Sequence, residues 1–206
     1  GFSSPKHFLE RYPWVTMDVV EIDPDVIEIA YEYFRVPRDD SRLEVYNMDG
    51  RAFLEDAGSY DLIVLDAYSD TYVPFHLMTL EFHQQLKEHL NPGGVITSNL
   101  ISSLVGDTSE LLWCEVETVS NFYPQVDLYT TRYSSAGLVQ NLIMVASTNI
   151  IDLEEVEGNI DMVIENPEQV KGYLQTRYEG DPSANSFVLR DNYAPVESLL
   201  NPVTLT

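Results

Sequence analysis

A chain of 206 residues, 44% of them hydrophobic, is long enough to bury one substantial core. Its 34 acidic residues against 11 basic ones, a net charge of −23, exclude a broad face for nucleic acid or an anionic membrane, whose phosphates such a surface repels. A lone cysteine, Cys114, rules out an internal disulfide framework and a cysteine-rich zinc site, and no apolar run approaches the ~20 residues that cross a bilayer. A cytoplasmic, soluble protein is the expectation.

The chain opens GFSSPKHF, where Ser3 or Ser4 can cap a helix with Pro5 in its first turn. TMDVVEI (16–22) is the first strand run, and Asp23 then caps DPDVIEIAYEYF with Pro24 at the first helical position. LEVYN (43–47) leads to Asp49 before GRAFLEDA, and YDLIVLD (60–66) leads to Thr79, which opens TLEFHQQLKEHL before NPGG closes it. GVITSNL (94–100), VDLYTT (126–131) and VQNLIMVAS (139–147) complete the strand runs. Short β-branched runs alternating with segments of helical spacing predict an α/β fold with a doubly wound, mostly parallel sheet. Only RYSSAGL separates the last two strands, too little for a crossover helix, so they are predicted to be antiparallel neighbours. From residue 150 the acidic stretch IDLEEVEGNIDMVIENPEQVKGYLQTRYEG reads as two short helices, followed by a loop-rich end. The expected organisation is a core over 1–149 and a helical appendage over 150–206 packed on it, since the latter is too short and acidic to bury a core of its own.

In open parallel sheets, ligands bind outside the carboxyl ends of the strands. Those ends carry Glu21 and Asp23, then Asp49, then Asp66, then Asn99. A carboxylate at the first such tip can accept from both hydroxyls of a ribose, which is the reading for Glu21, whereas Asp23 reads as a helix cap. Asp49 with Gly50 serves equally as a cap or as an acceptor for an exocyclic amine beside a backbone that a flat ring can approach. Asp66 caps the turn or binds a cation. His76, His83 and His89 are separated by seven and six residues, which puts no metal pair on one helix face, so they read as surface or packing residues and no metal is expected. Neither a serine nucleophile elbow nor a phosphate-binding lysine loop is present.

Taken in order, VVEIDPDVIEIAYEYF, DSRLEVYNMDGRAFL, YDLIVLDAYSD and LNPGGVITSNL resemble the Rossmann-like core of the spermidine synthases, or polyamine aminopropyltransferases, over residues 1–147. DAYSDTYVPFHLMT and DNYAPVE are similar to a spermidine-synthase-like branch of that family. The resemblance implies a class I methyltransferase-like fold and aminopropyl transfer from decarboxylated S-adenosylmethionine to a polyamine such as putrescine, with methylthioadenosine released. It implies cofactor-binding roles for Gly1, Glu21, Ile22, Asp49 and Gly50, and a role for Asp66 in deprotonating the attacking amine. Asp70, Tyr68 and Tyr72 become amine-binding candidates, although Asp70 stands four residues after Asp66 where the family's second acid stands three after its first. A homodimer is compatible with the family. The first strand that such a core begins with is not found, and GFSSPKHF reads as the tail of its glycine-rich turn, so these residues alone are expected to transfer poorly.

The chemistry of the residues agrees with those roles. A primary ammonium has a pKa near ~10.4, so a carboxylate that both binds the cation and accepts its proton is needed at neutral pH. Two other readings share the sheet and its acids: a methyltransferase using S-adenosylmethionine itself, and a non-catalytic adenosyl-binding domain. The first is disfavoured because the donor's own carboxylate meets repulsion from Asp66 and Asp70.

Overall fold

The computed structural model describes residues 2–67, 74–131, 136–163, 166–181 and 185–204, and its strands follow one another as predicted. The chain packs as two units, Gly1–Ala57 and Gly58–Thr206.

The first unit holds α1 (Ser3–Arg11), β1 (Met17–Glu21), α2 (Pro24–Tyr33), β2 (Leu43–Asn47) and the single turn α3 (Gly50–Phe53). β1 and β2 pair in parallel from Met17 opposite Leu43 to Glu21 opposite Asn47. α2 starts where predicted: the Asp23 carboxylate accepts from the Asp25 N–H at 2.9 Å, and Pro24 lacks an N–H at a position where none would be bonded. Its Val26, Ile27 and Tyr31 pack with Val19, Leu43 and Val45 around buried Phe2, Ala30 and Val36. α1 departs from expectation, because neither Ser3 nor Ser4 caps it; Phe2 holds the cap position with left-handed backbone (φ 59°) and no capping side chain. Burial of the Phe2 ring in the core, with 7% of its surface exposed, outweighs a serine cap of ~1 kcal/mol. Arg42 ties this unit together, donating to the Leu9 carbonyl at 3.0 Å and to Asp40 at 3.0 and 2.7 Å. Hydrogen bonding from Arg42 holds the Asp40 carboxyl below its ordinary range.

The second unit contains β3 (Tyr60–Leu65), α4 (Leu80–Glu88), β4 (Leu90–Ser102), α5 (Glu110–Val119), β5 (Gln125–Thr130), β6 (Gln140–Ser147), α6 (Leu153–Val163), α7 (Pro167–Leu174) and α8 (Val196–Thr204). Its sheet has the order β3-β4-β6-β5. β3 and β4 are parallel, while β6 is antiparallel to both β4 and β5, so only β6 reverses. The predicted antiparallel pair is thus present, with β6 lying between β4 and β5. Among the described residues β1 and β3 are each paired on one side only.

The segment NPGG does not close α4, which ends at Glu88. It lies within β4, where the pairing with β3 shifts register between Tyr60–Leu90 and Leu62–Val95. Glycine is required at position 94, because a Cβ there would stand 2.8 Å from the Asn91 carbonyl oxygen.

The C-terminal stretch, loop-rich by its sequence, contains a helix. α8 sends Val196, Leu199 and Leu200 into a cluster with Met78, Leu111, Cys114 and Leu189, all buried. Three apolar positions at helical spacing are too few to stand out before Pro202, yet they suffice once α5 offers an apolar face. Upstream, Tyr178 N–H donates to the Leu128 carbonyl at 2.8 Å and Arg177 pairs with Asp127 at 2.8 Å, so this segment covers the outer edge of β5. Residues 189–191 form a strap across the start of α4. Leu80 N–H donates to the Leu189 carbonyl at 2.8 Å, Leu189 N–H to Thr118 Oγ1 at 2.8 Å, and the Thr79 hydroxyl to Asp191 at 2.7 Å.

Candidate functional site

In the first unit, the tips of the two parallel strands carry the predicted acids. Glu21 is the last residue of β1, and its Oε1 accepts from the Asp23 N–H at 3.0 Å. One of its oxygens therefore stiffens the turn into α2, and no other described group bonds the carboxylate. Asn47, opposite Glu21 at the end of β2, donates through one Nδ2 to the carbonyls of both Glu21 (2.9 Å) and Ile22 (3.0 Å). This clamp fixes the backbone from which Glu21 projects. Sequence reading passed over Asn47; its signal was an amide, able to donate twice, at the last position of a strand.

Asp49 follows β2 and caps α3, its Oδ1 accepting from Arg51 N–H at 2.9 Å and Ala52 N–H at 3.1 Å. The helix cap is present, and it holds the carboxylate in a fixed orientation. Gly50 opens α3, and a Cβ there would meet no atom within 4 Å, so packing does not demand glycine. Beside these acids two large apolar side chains face outward, Ile22 at 67% exposure and Met48 at 37%. Apolar surfaces flanked by fixed acceptors suit a flat heterocycle carrying donors at its edge. Asp23 is the helix cap that it was read to be.

In the second unit, Asp66 directly follows β3 and is exposed. Its Oδ1 accepts from Asn99 Nδ2 at 3.0 Å, and no other described group bonds it. Asp66 thus stands at the carboxyl end of a parallel strand, as Glu21 does in its own unit. Gly1, Tyr68, Asp70 and Tyr72 lie outside the described residues.

All four histidines make contacts within the fold, and His76 packs edge-on to Phe75. His83 is buried and bonds Glu115 at 3.0 Å, His89 bonds the Gly58 carbonyl at 2.8 Å, and His7 packs edge-on to Phe8. Burial pushes the Glu115 carboxyl up, His83 opposing it. Among the described residues no three His, Cys, Asp or Glu side chains are grouped to hold a metal ion, and no helix is long and apolar enough to cross a membrane.

Parallel strands ending in carboxylates, with one reversed strand inserted before the last, make a class I methyltransferase-like α/β fold. Solved structures agree: a probable spermidine synthase from Corynebacterium glutamicum matches 91% of this chain and 71% of its own with a TM-score of 0.66 at 18% identity. A spermidine synthase in complex with the transition state analogue AdoDATO matches 98% of this chain and 65% of its own, with a TM-score of 0.59 at 18% identity. The model of the spermine/spermidine synthase domain matches residues 7–155, and the chain belongs to that family. It is 31% identical to a probable polyamine aminopropyl transferase of Bifidobacterium longum over 92% of this chain and 45% of the relative. It is 42% identical to the polyamine aminopropyltransferase of Vibrio vulnificus over 50% of this chain and 36% of that protein. The chain spans less than half the length of these two relatives.

Proposed function

We propose that the protein is a polyamine aminopropyltransferase, moving the aminopropyl group of decarboxylated S-adenosylmethionine to a polyamine such as putrescine. The observation that carries this reading is the Asp66 carboxylate, exposed at a strand's carboxyl end and held through one oxygen by a neutral amide, in a chain of this family. Such a carboxylate attracts an ammonium and accepts its proton, and a neutral partner adds no positive charge to compete with the amine. The amine nitrogen attacks the carbon beside the sulfonium, the C–S bond breaks, and its electron pair stays on sulfur. Methylthioadenosine leaves as a neutral thioether and needs no acid.

Glu21 is assigned the ribose hydroxyls and Asp49 the adenine amine, with Gly1, Ile22 and Gly50 forming the rest of the cofactor-binding set. Tyr68, Asp70 and Tyr72 are assigned to the amine substrate. The relatives' names and the neighbour's analogue support this assignment of chemistry. A cytoplasmic homodimer, no metal, and a core over 1–149 bearing the appendage 150–206 belong to the same reading.

Calorimetric titration of the full-length protein with decarboxylated S-adenosylmethionine, S-adenosylmethionine and methylthioadenosine, followed by product analysis with putrescine, tests it. Binding of the decarboxylated donor with transfer to an amine is the expected result. Methyl transfer from S-adenosylmethionine would replace the reading with a methyltransferase, and adenosyl binding without transfer to any polyamine would leave a binding domain. Asn47→Ala should weaken methylthioadenosine binding by up to about 30-fold, since losing two hydrogen bonds of ~1 kcal/mol each frees the turn that carries Glu21 and Ile22. Unchanged affinity in that variant would remove Glu21 and Ile22 from the adenosyl site.

A further inference from the structure

We propose that Asn99 is the positioning residue for Asp66, holding one carboxylate oxygen so that the other is presented to the attacking amine; this rests on the aminopropyltransferase reading above.

Asn99 lies on β4, the strand with neighbours on both sides: Ser98 is level with Leu65 of β3, and Asn99 is opposite Ile143 of β6. Its backbone is therefore fixed from two directions, while Asp66 sits just past the end of β3 with no ladder of its own. The 3.0 Å contact from Asn99 Nδ2 to Asp66 Oδ1 is the one described bond to that carboxylate. An ionised carboxylate only accepts, so the amide must turn its NH2 toward Asp66, and the orientation of Asn99 follows from chemistry.

The type of donor matters as much as its place. An arginine or lysine there would hold Asp66 and also cancel the negative charge that draws in an ammonium. A hydroxyl donates or accepts with equal ease and does not fix the direction. A primary amide on a central strand fixes the rotamer and leaves the charge available. The sequence sets Asn99 beside four strand-end acids; β4 in fact runs on to Ser102, and the structure gives the Asn99 amide a task within it.

The test uses Asn99→Ala, Asn99→Asp and Asn99→Gln in the full-length protein. Asn99→Ala should lower kcat about 10–100-fold, the cost of a misplaced reacting group, with methylthioadenosine affinity unchanged. Asn99→Asp keeps the shape but turns a donor into a like charge, and should be the slowest. Asn99→Gln keeps a donor and should recover part of the rate. Independently of turnover, the side-chain amide proton resonances of Asn99 should move in Asp66→Ala. Wild-type kcat in Asn99→Asp, a loss confined to donor binding, or Asn99 amide resonances indifferent to Asp66→Ala would each overturn the proposal. A wild-type protein that transfers nothing overturns the functional reading and this role with it; the amide resonances distinguish that failure from the absence of the Asn99–Asp66 bond.

Discussion

Asp66→Asn is expected to lower kcat for aminopropyl transfer by about 10²–10⁴-fold, the usual contribution of a general base, while adenosyl binding persists. The substitution is nearly isosteric and retains an oxygen for Asn99 Nδ2 to donate to, so the 3.0 Å bond that orients the side chain can survive. What disappears is the charge that attracts the ammonium and the basic oxygen that takes its proton. Steady-state rates beside calorimetry with methylthioadenosine separate the two effects. A variant within a few-fold of the wild-type rate would show that the proton leaves by another route and would take Asp66 out of the mechanism.

The second large effect concerns stability. His83 on α4 and Glu115 on α5 have fully buried side chains 3.0 Å apart, and among the described residues His83 Nδ1 and Glu115 Oε2 have no hydrogen-bond partner. Burial raises the Glu115 carboxyl above its unfolded value, which for glutamate is about 4.3. A group shifted in this direction favours the folded state below its unfolded value, and that contribution is lost as pH rises through the folded one. His83→Leu, which leaves the carboxylate buried alone, should therefore cost about 3–5 kcal/mol at pH 8 and less in mild acid. Glu115→Gln keeps a partner for the imidazole and removes the charge, so its stability relative to wild type should improve as pH rises. Urea unfolding of the three proteins at two pH values measures both trends. A His83→Leu protein as stable as wild type at pH 8 would mean that the pair contributes nothing to holding α4 on α5.

Much of this architecture could be read from local chemistry. Asp23-Pro24 and Thr79 announced their helices because a cap is satisfied by atoms two or three residues away, and β1 to β3 kept their expected places because each run is short and bounded. The misjudged positions depend on distant partners. Phe2 displaced a serine cap because its ring found Ala30 and Val36, and NPGG became part of β4 because Tyr60 pairs with Leu90 before it and Leu62 with Val95 after it. α8 is a helix because α5 and Met78 cover its apolar side. His83 was read as surface or packing, and its spacing gave no hint that Glu115, 32 positions on, would bond it. At the candidate site the acids at strand ends were legible as types and positions. Asn99 was legible as a residue at such an end but not as the partner of Asp66, and Asn47 not at all, since both amides take their meaning from the neighbouring strand.

The strap over α4 has a consequence for how the second unit is made. Thr79 bonds Asp191 across 112 positions of sequence, and Leu189 lies in the same buried cluster as Met78. During synthesis at about 5–20 residues per second, α4 waits roughly 6–22 seconds after Thr79 is added before Asp191 is even joined to the chain. Until then its first turn and the apolar faces beneath it are uncovered on the ribosome, and a nascent chain halted before this point is the species that a chaperone would find.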